Sequence, residues 1–356
     1  MTSNSAIRAL ALAAGTAVAL TAGPAAAQDL QSTTLNVVGS WSGLQLHKKY
    51  EQPFWSETVP AKSGGKITVE LSTFDQQGLK GGEVFRLLDN GLFDIGATVA
   101  DYTVQDAPEL EGLDLPMMAP DIQQARMVAK AYKPVLDDAL AKRFHAKLLN
   151  VVPYPQQVVF CNTAISSLQD LEGKKVRASG RTTAEFVNGV GAEGITMGFS
   201  EVPTALQRGV IDCAITGSLP GYSSGWHEMS THLYALPVGG WDHVVTAIRQ
   251  ETWNGLNEAT QAFLMEQNEA YENNVWDSAV QRTENGINCL TGNGECPLGE
   301  AGDMKLVEAT DADIELARKI LRETIIPNWA DRVEPEWAKR WNETIGAVVD
   351  LEAPTN

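Results

Sequence analysis

The sequence predicts an α/β fold in two halves, followed by a helical region. Three patterns carry that reading. Short β-branched runs alternate with helical patterns between residues 35 and 99. The same alternation returns from residue 158, after a Pro153-Tyr154-Pro155 break. From residue 257 onward the spacing is helical. Two α/β halves, a hinge and a helical tail make a two-lobed clamp.

In chain order, residues 35–38 form a β run ending at Gly39-Ser40-Trp41, and apolar residues at helical spacing follow over 46–59. Gly64-Gly65 breaks that helix, and 67–71 alternates as a strand. A short helix starts at Gly81-Gly82 and ends at Asn90-Gly91, and 93–99 is the next strand. Residues 113–118 are an apolar connector. Asp121 caps an Ala-rich helix to about Phe144, interrupted at Lys133-Pro134. Strands are expected at 147–152, 158–161, 210–215, 233–236 and 243–248, the last returning the chain to the first lobe. The stretch 217–225 reads as turns. Residues 257–287 and 311–333 read as helix, separated by a Cys-containing loop.

The most informative stretch is 170–217. A β run ending on Arg177 leads into a helix. A second helix at 201–208 then leads into an apolar strand. In such β-α-β units, strand ends and helix starts converge on a crevice at the sheet's carboxyl edge, so Arg177 stands where a ligand would bind. A guanidinium fork matches a carboxylate bidentately and stays charged at any relevant pH. The competing reading is a surface or interlobe salt bridge.

The net charge of −18 argues against nucleic acid and anionic membranes. It also means that an anion site must be a local positive exception. Arg8, the apolar run 9–22 and Gly23-Pro24-Ala25-Ala26-Ala27 have the order of a secretory signal cut after Ala27. No Cys follows for a lipid anchor, and no other segment reaches membrane-spanning length. The mature chain is expected to be soluble and exported to the periplasm, without direct membrane insertion. Cys289 and Cys296 bracket a flexible loop and are expected to pair in an oxidising compartment. Cys161 and Cys213 sit in apolar runs and read first as buried small hydrophobes, with a second disulfide as the alternative.

Asp170-Leu171-Glu172-Gly173-Lys174-Lys175-Val176-Arg177 and the run 198–212, with Phe199-Ser200-Glu201-Val202 and Gly209-Val210-Ile211-Asp212, resemble the extracytoplasmic solute-binding proteins of TRAP transporters, the DctP-like family. Weaker echoes at 63–71, 87–96, 113–118 and 121–126 extend the resemblance over most of the mature chain. It implies a periplasmic-binding-protein-like clamp with a long helix spanning both lobes, capturing an organic acid for a membrane permease. The implied divisions are 1–27 signal peptide, 28–153 plus about 238–256 for lobe I, 154–237 for lobe II, and 257–356 as a helical region over both. A monomer is expected. Arg177 matches the family's carboxylate-binding arginine. The second arginine that many members carry is replaced in the run 156–162, which argues for one carboxylate on the ligand rather than two. Where the α-keto-acid branch has Glu-Trp to help hold a metal, this chain has Ile215-Thr216, so no metal or cofactor is expected.

Trp41, Trp226 and Trp241 fall in loops at strand ends, where together they would make an aromatic-walled pocket for an aromatic or apolar acid, although each alone is as often core. Gln156, Thr216, Ser218 and His243 are candidate hydrogen-bonding partners. Two motifs resemble enzyme signatures. Gly221-Tyr222-Ser223-Ser224-Gly225 has the GxSxG form of a serine hydrolase, but residues 216–220 separate Ser223 from the strand end. Asp242 and His243, as neighbours, point to opposite faces of a strand. His227 and His232 are five apart, where a zincin helix needs four. No enzymatic activity is expected. A sugar receptor of an ATP-driven importer is the other alternative.

Overall fold

The computed structural model describes Met1 and residues 29–355, so the expected signal peptide lies outside the described residues apart from Met1. Two sheets organise the chain. The first has the order β2-β1-β3-β10-β4, from β1 (Thr33–Gly39), β2 (Ile67–Thr73), β3 (Ile95–Val99), β4 (Ala146–Val152) and β10 (Val244–Arg249). The second has the order β11-β9-β5-β8-β6-β7, from β5 (Gln157–Cys161), β6 (Lys175–Ala178), β7 (Glu193–Thr196), β8 (Cys213–Gly217), β9 (His232–Tyr234) and β11 (Lys305–Val307). In the first sheet β1 pairs in parallel with β2 and β3. The return strand β10 runs antiparallel between β3 and β4, in a sheet whose pattern reads as parallel in the sequence. In the second sheet β6 pairs in parallel with β7 and β8, and β5 runs antiparallel to β8 and β9. Strands β3, β5 and β8 are buried along their whole lengths, which is why they read as continuous apolar runs rather than alternation.

The helix Glu258–Asp277 lies on the first sheet. Trp276 Nε1 donates to Val151 O at 2.9 Å, and Asn150 Nδ2 donates to Asn268 Oδ1 at 2.7 Å. After a break at Ser278, the helix Ala279–Thr291 packs on the second lobe. Gly286 lies so close to Ser218 and Leu219 that a Cβ there would meet the Leu219 nitrogen at 2.4 Å. One helical rod therefore braces both lobes. The helices of 311–349 cover both as well: Trp329 and Trp341 donate to Pro108 O and Gly112 O, and Ile320 packs on Gly189.

Several local expectations need correction. The helix Ile122–Phe144 runs unbroken through Pro134. The proline and Lys130, whose carbonyl loses its donor, both face solvent, while Tyr132, Val135 and Leu136 beside them are buried and hold the helix in place. The turn-like stretch after residue 217 is a helix, Ser218–Ser223, packed beneath Phe160 and Gly286. The strand expected at 210–215 starts at Cys213, and Val210 is exposed. The helical tail also contributes strand β11 to the second sheet. Cys161 and Cys213 are directly paired positions of β5 and β8 and form a disulfide, with Cα atoms 4.1 Å apart, so reading them first as small hydrophobes was incorrect. Cys289 and Cys296 form the other.

Candidate functional site

β6 stands between β8 and β7, and its alternation sends Val176 and Ala178 to one face and Arg177 to the other. Arg177 is only 1% exposed. Its Nε donates to Met197 O at 2.9 Å and its Nη1 to Ile215 O at 2.7 Å. The guanidinium lies 5.7 Å from the centre of the Trp226 ring. Two backbone carbonyls and an aromatic face therefore fix the orientation of the fork. Burial lowers its pKa. Tyr102, Asp242 and Asp101, all from the first sheet's loop edge, oppose that effect.

A cleft of about 680 Å³ separates these loop edges. Trp41 and Tyr102 border it on one side, and Ser179, Gly180, Met197 and Phe199 on the other. Arg177 is not itself in this wall, although Met197, whose carbonyl it grips, and Tyr102 are. Trp41 Nε1 donates to the Tyr102 hydroxyl at 3.4 Å, and its ring lies 5.6 Å from Phe199. Phe199 in turn lies 5.2 Å from Trp226, so an aromatic chain runs from Trp41 back to Arg177.

At Gly180 the lobes approach so closely that a Cβ there would overlap Asp101 Oδ2 at 1.7 Å. Glu111, buried on the first lobe, accepts from Arg181 Nε at 2.8 Å and from Arg332 Nε at 3.1 Å. Arg332 Nη1 also donates to Glu185 at 2.6 Å. Opposite Arg177, the chain enters β10 through Gly240, Trp241 and Asp242. Asp114 receives the backbone N–H of Asp242 at 2.6 Å and of Trp241 at 2.9 Å. Those bonds hold Asp242 at φ 47°, the left-handed region. Burial, then the nearby Asp114 carboxylate, pushes the Asp242 carboxyl up to about 7, against the pull of Arg177. Burial, then Asp242, likewise raises Asp101 well above the usual carboxylate range.

The predicted site residues divide. Trp41 borders the cleft. Trp226 is fully buried behind Phe199, supporting Arg177 rather than facing the cavity. Trp241 is a core residue whose Nε1 donates to Ala119 O at 2.8 Å. The three tryptophans therefore do not form one aromatic wall. Gln156 contributes its backbone carbonyl to Ser218, while its neighbour Gln157 turns inward, donating to Gly239 O at 3.0 Å and offering Asp242 a hydrogen bond. Thr216 is buried in β8, and Ser218 Oγ bonds Thr283 O. His243 is fully buried, with Nδ1 3.3 Å from Asp114. Ser223 is exposed at a helix end. Asp101, Tyr102, Gln157, Arg181 and Phe199 were not singled out from sequence. Asp101 and Tyr102 follow directly on β3, so the strand-end rule that found Arg177 would have found them too.

Among the described residues, no group of three or more His, Cys, Asp and Glu is arranged to hold a metal ion. No helix among them is long and apolar enough to cross a membrane.

Residues 43–325 match the model of the DctP family, bacterial extracellular solute-binding protein, family 7. An uncharacterised Salmonella typhimurium protein, YiiZ, is 28% identical over 170 residues, covering 45% of this chain and 50% of that protein. Among solved structures, the chain is similar to DctP7 of Bordetella pertussis, an extracytoplasmic solute receptor binding pyroglutamic acid (TM-score 0.77, 20% identity, covering 88% of this chain and 99% of that one). It is also similar to the periplasmic ectoine-binding protein of the Halomonas elongata TeaABC TRAP transporter (0.78, 17%, 89% and 99%). A third is a Desulfovibrio salexigens TRAP periplasmic solute-binding protein with bound orotic acid (0.77, 17%, 88% and 99%). At these identities the likeness is one of fold.

Proposed function

We propose a receptor function from the premise that this chain belongs to the DctP family of bacterial extracellular solute-binding proteins. In this reading it is a non-enzymatic periplasmic receptor of a TRAP-type secondary transporter. It closes two lobes, divided as set out above, over a small organic acid and passes it to the membrane permease. The observation that carries the reading is Arg177, a buried cation whose fork is fixed by two carbonyls, one of them on Met197, which lines the interlobe cleft. A monocarboxylate is favoured because the second arginine that many members of the family carry is replaced here in the run 156–162.

When the lobes open, the ligand carboxylate reaches the Arg177 guanidinium and forms a charge-assisted pair that is strong because the site is dry. Trp41, Tyr102 and Phe199 cover the ligand's apolar or ring portion. Contacts to both lobes stabilise the closed state, and the Glu111–Arg181 pair joins them.

A thermal-shift screen with organic acids tests this. At least one acid should raise the melting temperature in a dose-dependent way, and Arg177→Ala should abolish the shift. Stabilisation by neutral sugars alone, or an esterase activity lost in Ser223→Ala with no response to acids, would overturn it.

A further inference from the structure

A second buried cation lies where the chain passes between the lobes. Arg282 is 5% exposed and stands on the helical rod one turn past its break at Ser278. Its Nε donates to Ser278 Oγ at 3.1 Å, and its Nη2 to Pro153 O at 3.1 Å and Val275 O at 3.2 Å. Pro153 opens the connection from β4 to β5, so this one side chain joins the crossover to both halves of the rod. The guanidinium also lies 5.4 Å from the centre of the Tyr50 ring.

All of these partners are neutral. Among the described residues, Arg282 forms no ion pair. Burial lowers its pKa to about 10, and the groups that oppose this are Tyr50, Tyr271 and Tyr154, with no carboxylate among them. Glu51, next to Tyr50 in the chain, is held instead by Ser40 N at 2.9 Å and His47 Nδ1 at 2.6 Å. A buried cation without a counter-charge is costly. In a chain with 45 acidic residues, the lack of one here leaves a place for an anion from outside.

The guanidinium borders a cavity of about 100 Å³. That is room for roughly three waters or one small oxyanion. Nη1 is its nitrogen without a hydrogen-bond partner among the described residues. Lys49, from the first lobe, shares the wall and likewise forms no ion pair among the described residues. So does Asn285, whose Oδ1 accepts from Gln281 Nε2 at 2.9 Å and whose Nδ2 is left to donate. Leu219 of the second lobe closes the wall, which contains no acidic residue.

We propose that this cavity is an anion site, separate from the carboxylate site at Arg177, that takes a free oxyanion of phosphate or sulfate size between Arg282, Lys49 and the Asn285 amide. A guanidinium with an ammonium beside it suits the spread charge of such an ion. Because both lobes bound the cavity, the ion ties the Lys49 segment of the first lobe to the rod next to its break.

The test is calorimetric titration of the mature protein with sodium phosphate at constant ionic strength. Wild type should show one saturable site with a Kd of about 1 mM or tighter. Lys49 is exposed, so Lys49→Glu should fold as the wild type does. It should weaken phosphate about tenfold or more, by replacing an attractive charge with a repulsive one. Arg282→Gln, where its melting curve shows a folded protein, should lose phosphate altogether. Arg177→Ala should keep phosphate affinity within about twofold of wild type, because Arg177 does not border this cavity. No saturable binding of phosphate or sulfate by wild type overturns the inference. Phosphate affinity that Lys49→Glu leaves unchanged overturns it too, as does affinity that Arg177→Ala abolishes, since the anion then sits in the main cleft.

Discussion

The guanidinium of Arg177 lies 5.7 Å from the ring of Trp226, and Phe199 lies 5.2 Å from the same ring. Arg177, proposed to hold the ligand, and Phe199, which lines the cleft, are thus joined through a tryptophan that does not line it. Trp226→Leu should leave a folded protein whose affinity for a carboxylate ligand drops about five- to thirtyfold, reflecting the loss of ~1–2 kcal/mol of support for a desolvated cation. Titration calorimetry reads the loss. An unchanged affinity would show that the two carbonyls alone position the fork.

Asp242 makes the ligand-free protein sensitive to pH. Its folded pKa of about 7 lies above the ordinary 3.8, so the folded state holds a proton that the unfolded chain releases. That stabilisation is complete below the ordinary value and is lost as the pH rises through about 7. Asp242→Asn removes the proton from the balance. Relative to wild type, the variant should therefore gain on the order of 1–4 kcal/mol of stability between pH 5 and pH 8, read from denaturant melts at both pH values.

Gly180 and Asp101 leave no room for a methyl group between the lobes. Gly180→Ala should hold the clamp partly open, because its φ of −145° suits any residue and the conflict is purely one of space. Small-angle scattering with saturating ligand should show a larger radius of gyration than wild type. Affinity should fall about tenfold or more.

The Cys161–Cys213 disulfide ties paired positions of β5 and β8, one strand away from Arg177. Replacing both cysteines by alanine should cost about 2–5 kcal/mol in denaturant melts. Arg177 keeps its carbonyl partners on the backbone of Met197 and Ile215, so ligand affinity should be affected far less than stability.

Where period and composition decide structure, the sequence was readable. The strand order up to β5, the capped helix from Asp121 and the return of β10 to the first sheet all followed from local pattern. Arg177 stands out in the sequence because it lies near the end of a strand in a β-α-β unit. Other features depend on contacts distant in sequence. Pro134 is tolerated because a buried face holds its helix, and the helix Ser218–Ser223 exists because Gly286 and Phe160 pack on it. Trp41 and Trp241 look alike as loop tryptophans after a strand. Only the tertiary position of the Ala119 carbonyl draws one into the core. Gln156 and Gln157 differ by a single residue of register, and on a strand that reverses which one faces inward.

The central claim is that Arg177 holds a ligand carboxylate. The most direct measurement is calorimetric titration of wild type and Arg177→Lys with the acid that stabilises the wild type most. Affinity should fall about a hundredfold or more, since a single ammonium nitrogen cannot stand where both Nε and Nη1 meet Met197 O and Ile215 O and still present a planar fork to a carboxylate. Equal affinity in the two proteins, both folded, would contradict it.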